Sequence, residues 1–212
     1  MNLAGRRVAV TGATGFLGRY LCAELQAYGA SVVGVVRRPG RVPKLVQQGV
    51  EMRRADLMEP DALKASFEGV DAVVSNAALF DLSNSDWQAH EQANIRGGTN
   101  VAEACAAAGV KRLLLVSSCA VYADRGKGNP GEDGKQFGTS DRRGRTARYS
   151  ISKALAEQAA WRVAEKMGLA MTAIRPSAIY GAHDPNFTPV LLKLAQHGWA
   201  RSGLGQFSRC VA

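Results

Sequence analysis

The stretch Val8–Leu25, VAVTGATGFLGRYLCAEL, places glycines at positions 12, 15 and 18 between an apolar run and a helix-period segment. The apolar run reads as a strand, and Phe16–Tyr28 reads as a helix ended by Gly29. Between them, Gly12 can take a tight turn and Gly15 lets the backbone approach a ligand closely. Gly18 lets the helix pack against the strand. The unpaired N–H groups and positive end of the helix then suit a pyrophosphate, cradled by Gly12, Thr14, Gly15, Phe16, Leu17 and Gly18. With a strand before it and a helix after it, G-x-x-G-x-x-G is a dinucleotide-binding arrangement.

The rest of the chain repeats the alternation. Short apolar runs at Arg6–Thr11, Ser31–Val36, Val50–Arg54, Asp71–Ser75, Arg112–Ser118 and Ala170–Arg175 read as strands. Helix patterns fall at Pro60–Phe67, at Asp86–Ala108 (interrupted by Gly97–Gly98) and at Ser150–Met167. Nearly continuous apolar strands between helices predict an α/β fold, a doubly wound parallel sheet covered on both faces. Ala123–Arg148 is rich in Gly, Asp, Arg and Lys and has no apolar period. A connection of that length is either a lid or binding loop, or a tolerated surface insertion.

Composition narrows the function. A chain of 212 residues holds one large domain, or one domain and part of a second. The net charge of +9 invites a nucleic-acid reading. The basic residues are scattered, however, apart from small groups at Arg37–Arg41 and Arg142–Arg148, and no aromatics interleave with them. A solvated basic surface is expected instead, with no nucleic-acid partner. No run approaches the roughly 18 apolar residues of a membrane span, so no membrane partner is expected. The N-terminus has no apolar leader, so a cytoplasmic location is expected. Cys22, Cys105, Cys119 and Cys210 form no CxxC pair, and neither a disulfide framework nor a metal site is expected.

The end of the second strand reads VVRRPGR, with Arg37 and Arg38 where an acid would otherwise bind a ribose 2′-hydroxyl. Arginine there favours a 2′-phosphate. A charge-assisted contact of roughly 1.5–3 kcal/mol gives about a ten- to hundredfold preference for NADP, with NAD as the second cofactor. Asp56, after the third strand, either accepts from an adenine amino group or caps the next helix.

Tyr149 and Lys153 stand four apart on one helix face. A phenol titrating near 10 is a poor base, and lowering it by about three units costs roughly 4 kcal/mol. A nearby ammonium and an oxidised nicotinamide ring are the sort of positive charges that could supply this. The strand ending LLLVSSCAVYA brings hydroxyls to the sheet's carboxyl edge, where ligands bind. Ser118 is placed to hold a substrate oxygen that Tyr149 protonates or deprotonates, and Ser117 is its nearest rival.

Taken together, TGATGFLG, Asp56–Leu57, Asn76–Ala77–Ala78, NIRGGTNVAEAC from Asn94, VSSCAVY, YSISK and IRPSAIYG resemble the extended short-chain dehydrogenase/reductases, the NAD(P)-dependent epimerase/dehydratase family. The resemblance covers Val8 through about Gly181. It implies a Rossmann fold with a catalytic Ser118, Tyr149 and Lys153, and with Asn94 at the active site. Lys153 would also hold the nicotinamide ribose. Asp56–Leu57 and Asn76–Ala77–Ala78 would line the cofactor, and Pro176 and Ser177 would lie near the nicotinamide. His183 would face substrate or be merely exposed. Departures are Ser75, where the family commonly has histidine, and Ala123, where it commonly has glycine. Relatives are usually longer, so residues 1–180 are expected to be the cofactor-binding domain and 181–212 the start of a truncated substrate-binding region.

An oxidoreductase follows, moving hydride at a carbinol or carbonyl carbon of either a nucleotide sugar or a hydroxy-ketone. Cys119 and Ala120 after Ser118 disfavour dehydration. The arginines at 142, 143, 145 and 148 either meet a substrate pyrophosphate or solubilise their loop. The alternative is an NADP-binding regulator or scaffold without turnover. A homodimer through Asp86–Ala108 and Ser150–Met167 is a further expectation.

Overall fold

The computed structural model describes residues 2–39, 43–80, 86–123, 134–137 and 147–196. In chain order the elements are β1 (Arg7–Thr11), α1 (Phe16–Ala27), β2 (Ser31–Val36), α2 (Pro43–Gln47), β3 (Glu51–Arg54), α3 (Pro60–Ser66) and β4 (Ala72–Ser75). There follow α4 (Trp87–His90), a π-helical turn (Glu91–Arg96), α5 (Gly97–Ala107), β5 (Arg112–Val116), a 3₁₀ turn (Cys119–Val121), α6 (Ala147–Met167), β6 (Ala170–Ile174) and α7 (Phe187–Gln196). The six strands pair in parallel in the order β3-β2-β1-β4-β5-β6. The fold is therefore a Rossmann-type doubly wound sheet. Its strand order reverses between β1 and β4, the point at which folds of this kind bind ligands outside the carboxyl ends of the strands.

Alternate residues of each strand feed opposite layers. Ala9, Val33, Val35, Val73, Leu113 and Leu115 pack with Leu63, Phe67, Val101 and Ala160 on the α3–α5–α6 side. Val8, Val10, Val32, Val36, Val74 and Val116 pack with Cys22 and Leu45 on the α1–α2 side. Burying a side chain such as Phe67 contributes about 1.5–3 kcal/mol, so the two layers dominate stability. Toward β6 the second layer thins, and Ile174 is 41% exposed.

Several boundaries differ from expectation, and three of the differences bear on the site. Gly97–Gly98 do not interrupt the long helix; its irregularity is the π-helical turn just before them. A Cβ on Gly97 would stand 2.9 Å from Leu57 Cδ1, so this glycine permits close packing. Helix α6 begins at Ala147, ahead of the expected Ser150, which places Tyr149 inside it. Strand β5 ends at Val116, although the Ser117 N–H still donates to Ile174 O at 2.8 Å.

The chain divides into two compact units, one running to Ser177 and the other beginning at Ala178. In the second, the Asp184 carboxylate accepts from the N–H groups of Asn186, Phe187 and Thr188 and so caps α7. His183 precedes it with a left-handed φ of 70°. Among the described residues no helix is long and apolar enough to cross a membrane.

Candidate active site

The glycine turn has the features its spacing predicts. Gly12 adopts a φ of +67°, and its N–H donates to Val35 O at 3.1 Å. A Cβ on Gly18 would fall 2.2 Å from Gly12 O, so only glycine lets α1 start this close to the turn. Gly15 is the N-cap and gives no side-chain hydrogen bond. The first-turn N–H groups of α1 thus lack a protein cap, as a cradle for a pyrophosphate requires. Thr14, Phe16 and Leu17 are all partly exposed beside it.

Thr11, which the sequence did not single out, joins the turn to β4. Its buried hydroxyl accepts from the N–H groups of Asn76 (3.0 Å) and Ala77 (3.1 Å). The Asn76 amide donates back to Thr11 O at 3.3 Å. Asn76 is thereby fixed against the turn, and Ala77 and the exposed Ala78 extend along its rim.

At the end of β2, Arg37 and Arg38 are exposed, and no described acidic side chain pairs with either. Asp56 Oδ1 accepts from Met58 N at 3.0 Å, closing the turn before α3. Leu57 is held by its carbonyl, which accepts from Asn100 Nδ2 at 2.7 Å.

The proton-transfer candidates meet at the end of β5. Ser118 and Tyr149 come together there, where the Ser118 hydroxyl draws the Tyr149 phenol down, and Ser118 Oγ accepts from Ala120 N at 3.1 Å. Ser117, the rival serine, is buried and donates to Glu157 Oε2 at 2.5 Å, so it faces away from Tyr149. Lys153 is buried, and its Nζ donates to Val116 O at 2.7 Å. Pro176 and Ser177 are drawn beside this group because Cys119 N donates to Pro176 O at 2.9 Å.

Burial pushes the Tyr149 phenol above its ordinary value, while the bond to Ser118 pulls it partly back. Lys153 is not among the groups that set the direction of this shift. Desolvation dominates at Tyr149, and Lys153 is bonded to the Val116 carbonyl. Burial pulls Lys153 itself down to about 8, against the attraction of Glu157.

Asn94 is buried in the π-helical turn, and protein groups occupy its side chain. Its Oδ1 accepts from Leu79 N at 2.7 Å, and its Nδ2 donates to Leu79 O at 3.1 Å. Phe80, which the sequence did not flag either, stands next in the chain. It is 44% exposed, and its ring meets Tyr149 edge-on with centroids 4.9 Å apart. Arg148 lies on α6 just before Tyr149; Arg142, Arg143 and Arg145 lie outside the described residues.

This geometry is accompanied by clear relatives. Residues 8–202 match the NAD dependent epimerase/dehydratase family, and the chain belongs to it. It is 35% identical over 197 residues to a 2-alkyl-3-oxoalkanoate reductase of Stenotrophomonas maltophilia, covering 92% of this chain and 57% of that protein. It is 32% identical to tetraketide alpha-pyrone reductase 1 of Arabidopsis thaliana, covering 92% and 63% respectively. Among solved structures, MoeE5 in complex with UDP-glucose and NAD superposes with a TM-score of 0.71 at 29% identity, covering 89% of this chain and 60% of that one. The chain thus spans about three fifths of the length of these relatives.

Proposed function

We propose that this chain provides the cofactor-binding part and the proton-transfer groups of an NADP-dependent oxidoreductase that reduces the carbonyl of an apolar ketone. The observation that carries the reading is the convergence of Ser118, Tyr149 and Lys153 on the sheet edge that also bears the uncapped glycine turn. Residues 1–180 form the nucleotide-binding part in this reading, and 181–212 begin a substrate-binding region.

The N–H groups around Gly12, Thr14, Gly15, Phe16, Leu17 and Gly18 would hold the pyrophosphate. Arg37 and Arg38 would hold the 2′-phosphate, and Asp56 and Leu57 the adenine. Asn76, Ala77, Ala78, Pro176 and Ser177 would line the nicotinamide half, with Lys153 on its ribose. Bound NADPH supplies the hydride. Tyr149 is protonated at neutral pH because burial raises its phenol, so it serves as the acid for the substrate oxygen. Ser118 orients that oxygen and stabilises the phenolate left behind. Asn94 supports the site through the backbone of α6.

The substrate class is read from Phe80, whose exposed ring flanks the Tyr149 phenol, and from the neighbouring Cys119 and Ala120. These groups suit alkyl or aryl carbon better than a sugar's hydroxyls. Two of the relatives are named as reductases of oxoalkanoates and tetraketide pyrones, in keeping with that choice. A homodimer through α5 and α6 completes the reading, and a sedimentation run finding only monomer rejects it.

The test is a titration of the full chain with NADPH and NADH, followed by absorbance assays with a 2-alkyl-3-oxoalkanoate and with a UDP-sugar. NADPH oxidation by the oxo acid, lost in Tyr149→Phe, supports the reading. Turnover of the UDP-sugar alone reassigns the substrate class. NADPH binding with no turnover of either leaves a cofactor-binding protein without catalysis.

A further inference from the structure

Three consecutive residues at the end of β5 are tied to three successive turns of α6. Val116 O accepts from Lys153 Nζ at 2.7 Å and Ser117 donates to Glu157 Oε2 at 2.5 Å, while the Ser118 hydroxyl draws the Tyr149 phenol down. Tyr149, Lys153 and Glu157 follow one another at intervals of four and so share a helix face. The first two already have roles in the proposed reaction; Glu157 has none.

Glu157 is 1% exposed, and a carboxylate that deep requires partners. Arg175, just past β6, donates Nε to Oε1 at 3.1 Å and Nη2 to Oε1 at 2.5 Å. Gln136 Nε2 donates to Oε1 at 3.2 Å. Arg175 also donates Nη1 to the Tyr122 hydroxyl at 2.6 Å and lies over that ring, 5.1 Å from its centroid. Tyr122 closes the 3₁₀ turn that opens at Ser118. Glu157 therefore grips the residue before Ser118 directly and, through Arg175, the residue that ends the following turn.

We propose that Glu157 is a positioning residue that clamps Ser118 from both sides and supplies the counter-charge to Lys153. The inference rests on the reading of Ser118, Tyr149 and Lys153 as the reacting set. An ion pair with Arg175 alone would hold β6 to α6. The Ser117 tether and the one-turn spacing from Lys153 are what connect the carboxylate to the site.

Tyr149 and Glu157 flank Lys153 on α6, Arg175 past β6 pairs with Glu157 and with Tyr122, and Cys119 follows β5. Of these, Glu157 is the group that opposes the effect of burial on Lys153. Without its charge, burial acts unopposed and Lys153 titrates lower. Removing Ser117 leaves that charge in place but frees one side of Ser118. The bond that offsets the burial of Tyr149 then weakens, and the phenol titrates higher.

The test uses the full chain, isotopically labelled at lysine side-chain nitrogens and tyrosine ring carbons, titrated by NMR without cofactor or substrate. Lys153→Arg and Tyr149→Phe assign the two signals. Glu157→Gln is expected to lower the Lys153 midpoint by about one pH unit. Ser117→Ala is expected to leave Lys153 in place and raise the Tyr149 midpoint. A folded Glu157→Gln chain with an unmoved Lys153 midpoint overturns the proposal, as does Ser117→Ala with an unmoved Tyr149. If Glu157→Gln fails to fold, Ser117→Ala decides alone. NADPH binding is measured separately, and its failure rejects the proposed activity without touching either titration.

Discussion

The side-chain amide of Asn94 donates to the hydroxyl of Ser152 across 2.9 Å, and that hydroxyl donates in turn to the carbonyl of Tyr149 at 2.8 Å. With its bonds to both polar groups of the Leu79 backbone, Asn94 ties the strand-end loop after β4 to the helix that carries Tyr149 and Lys153. Asn94→Ala would leave the Leu79 N–H and carbonyl without these partners. The expected loss is about 1–3 kcal/mol in urea or thermal unfolding. A loss below about half a kcal/mol would show that other groups or water take over these bonds.

Gly18 and Gly69 separate crowding from backbone strain. A Cβ at Gly18 meets Gly12 O at 2.2 Å, whereas Gly69 has a φ of +70° and nothing within 4 Å of its would-be Cβ. Gly18→Ala must push α1 away from the turn, so about 1–3 kcal/mol of stability and the binding of NADPH are expected to go together. Gly69→Ala meets only the left-handed penalty of about 1–2 kcal/mol and leaves NADPH binding unchanged. Equal effects on binding from the two variants would refute the role given to the turn.

The sheet and the glycine turn were legible in the sequence because their signals are local. Ser31–Val36 was read with its true ends, since apolar β-branched residues fill it and turn residues precede it. Gly97 was misread because its reason, the side chain of Leu57, lies 40 positions earlier in the chain. The choice between Ser117 and Ser118 was open for the same cause. One neighbour faces Glu157 and the next faces Tyr149, and the alternation of a strand does not say which face α6 will cover. Thr11 carried one usable signal, a hydroxyl residue at the carboxyl end of β1 beside the first glycine. Helix α2 is only five residues long, too short for any periodicity to mark.

Arg37 and Arg38 test the proposed cofactor choice. Both are exposed at the carboxyl end of β2 with no described acidic partner, so no protein carboxylate competes for them. Replacing both with alanine should weaken NADPH about ten- to hundredfold while leaving NADH within about twofold. Parallel losses for both cofactors would mean that the arginines act on the turn and not on the 2′-phosphate.

His90 is fully buried at the end of α4, and neither of its ring nitrogens has a hydrogen-bond partner among the described residues. Burying an unpaired polar atom costs about 1–3 kcal/mol. His90→Leu, similar in volume, should therefore raise the unfolding free energy by about 1 kcal/mol. A loss instead would indicate that the ring's shape matters more than its unpaired nitrogens.

Lys153 gives the chain a pH dependence of definite sign. Burial lowers its folded-state value to about 8, while an unfolded lysine titrates near about 10.4. Between these values the unfolded chain binds the extra proton, so unfolding free energy rises with pH. The destabilisation is fully present below about 8 and is relieved as pH climbs toward 10. At about 1.36 kcal/mol per unit the relief approaches roughly 3 kcal/mol. Tyr149, raised by burial, acts with opposite sign and only above about 10, where its unfolded phenol begins to ionise. Urea unfolding of the wild-type chain and of Lys153→Met at pH 7, 8, 9 and 10 isolates the effect. The difference between the two chains should shift in favour of wild type across that window. A constant difference would place the Lys153 ammonium in contact with water, contrary to its burial.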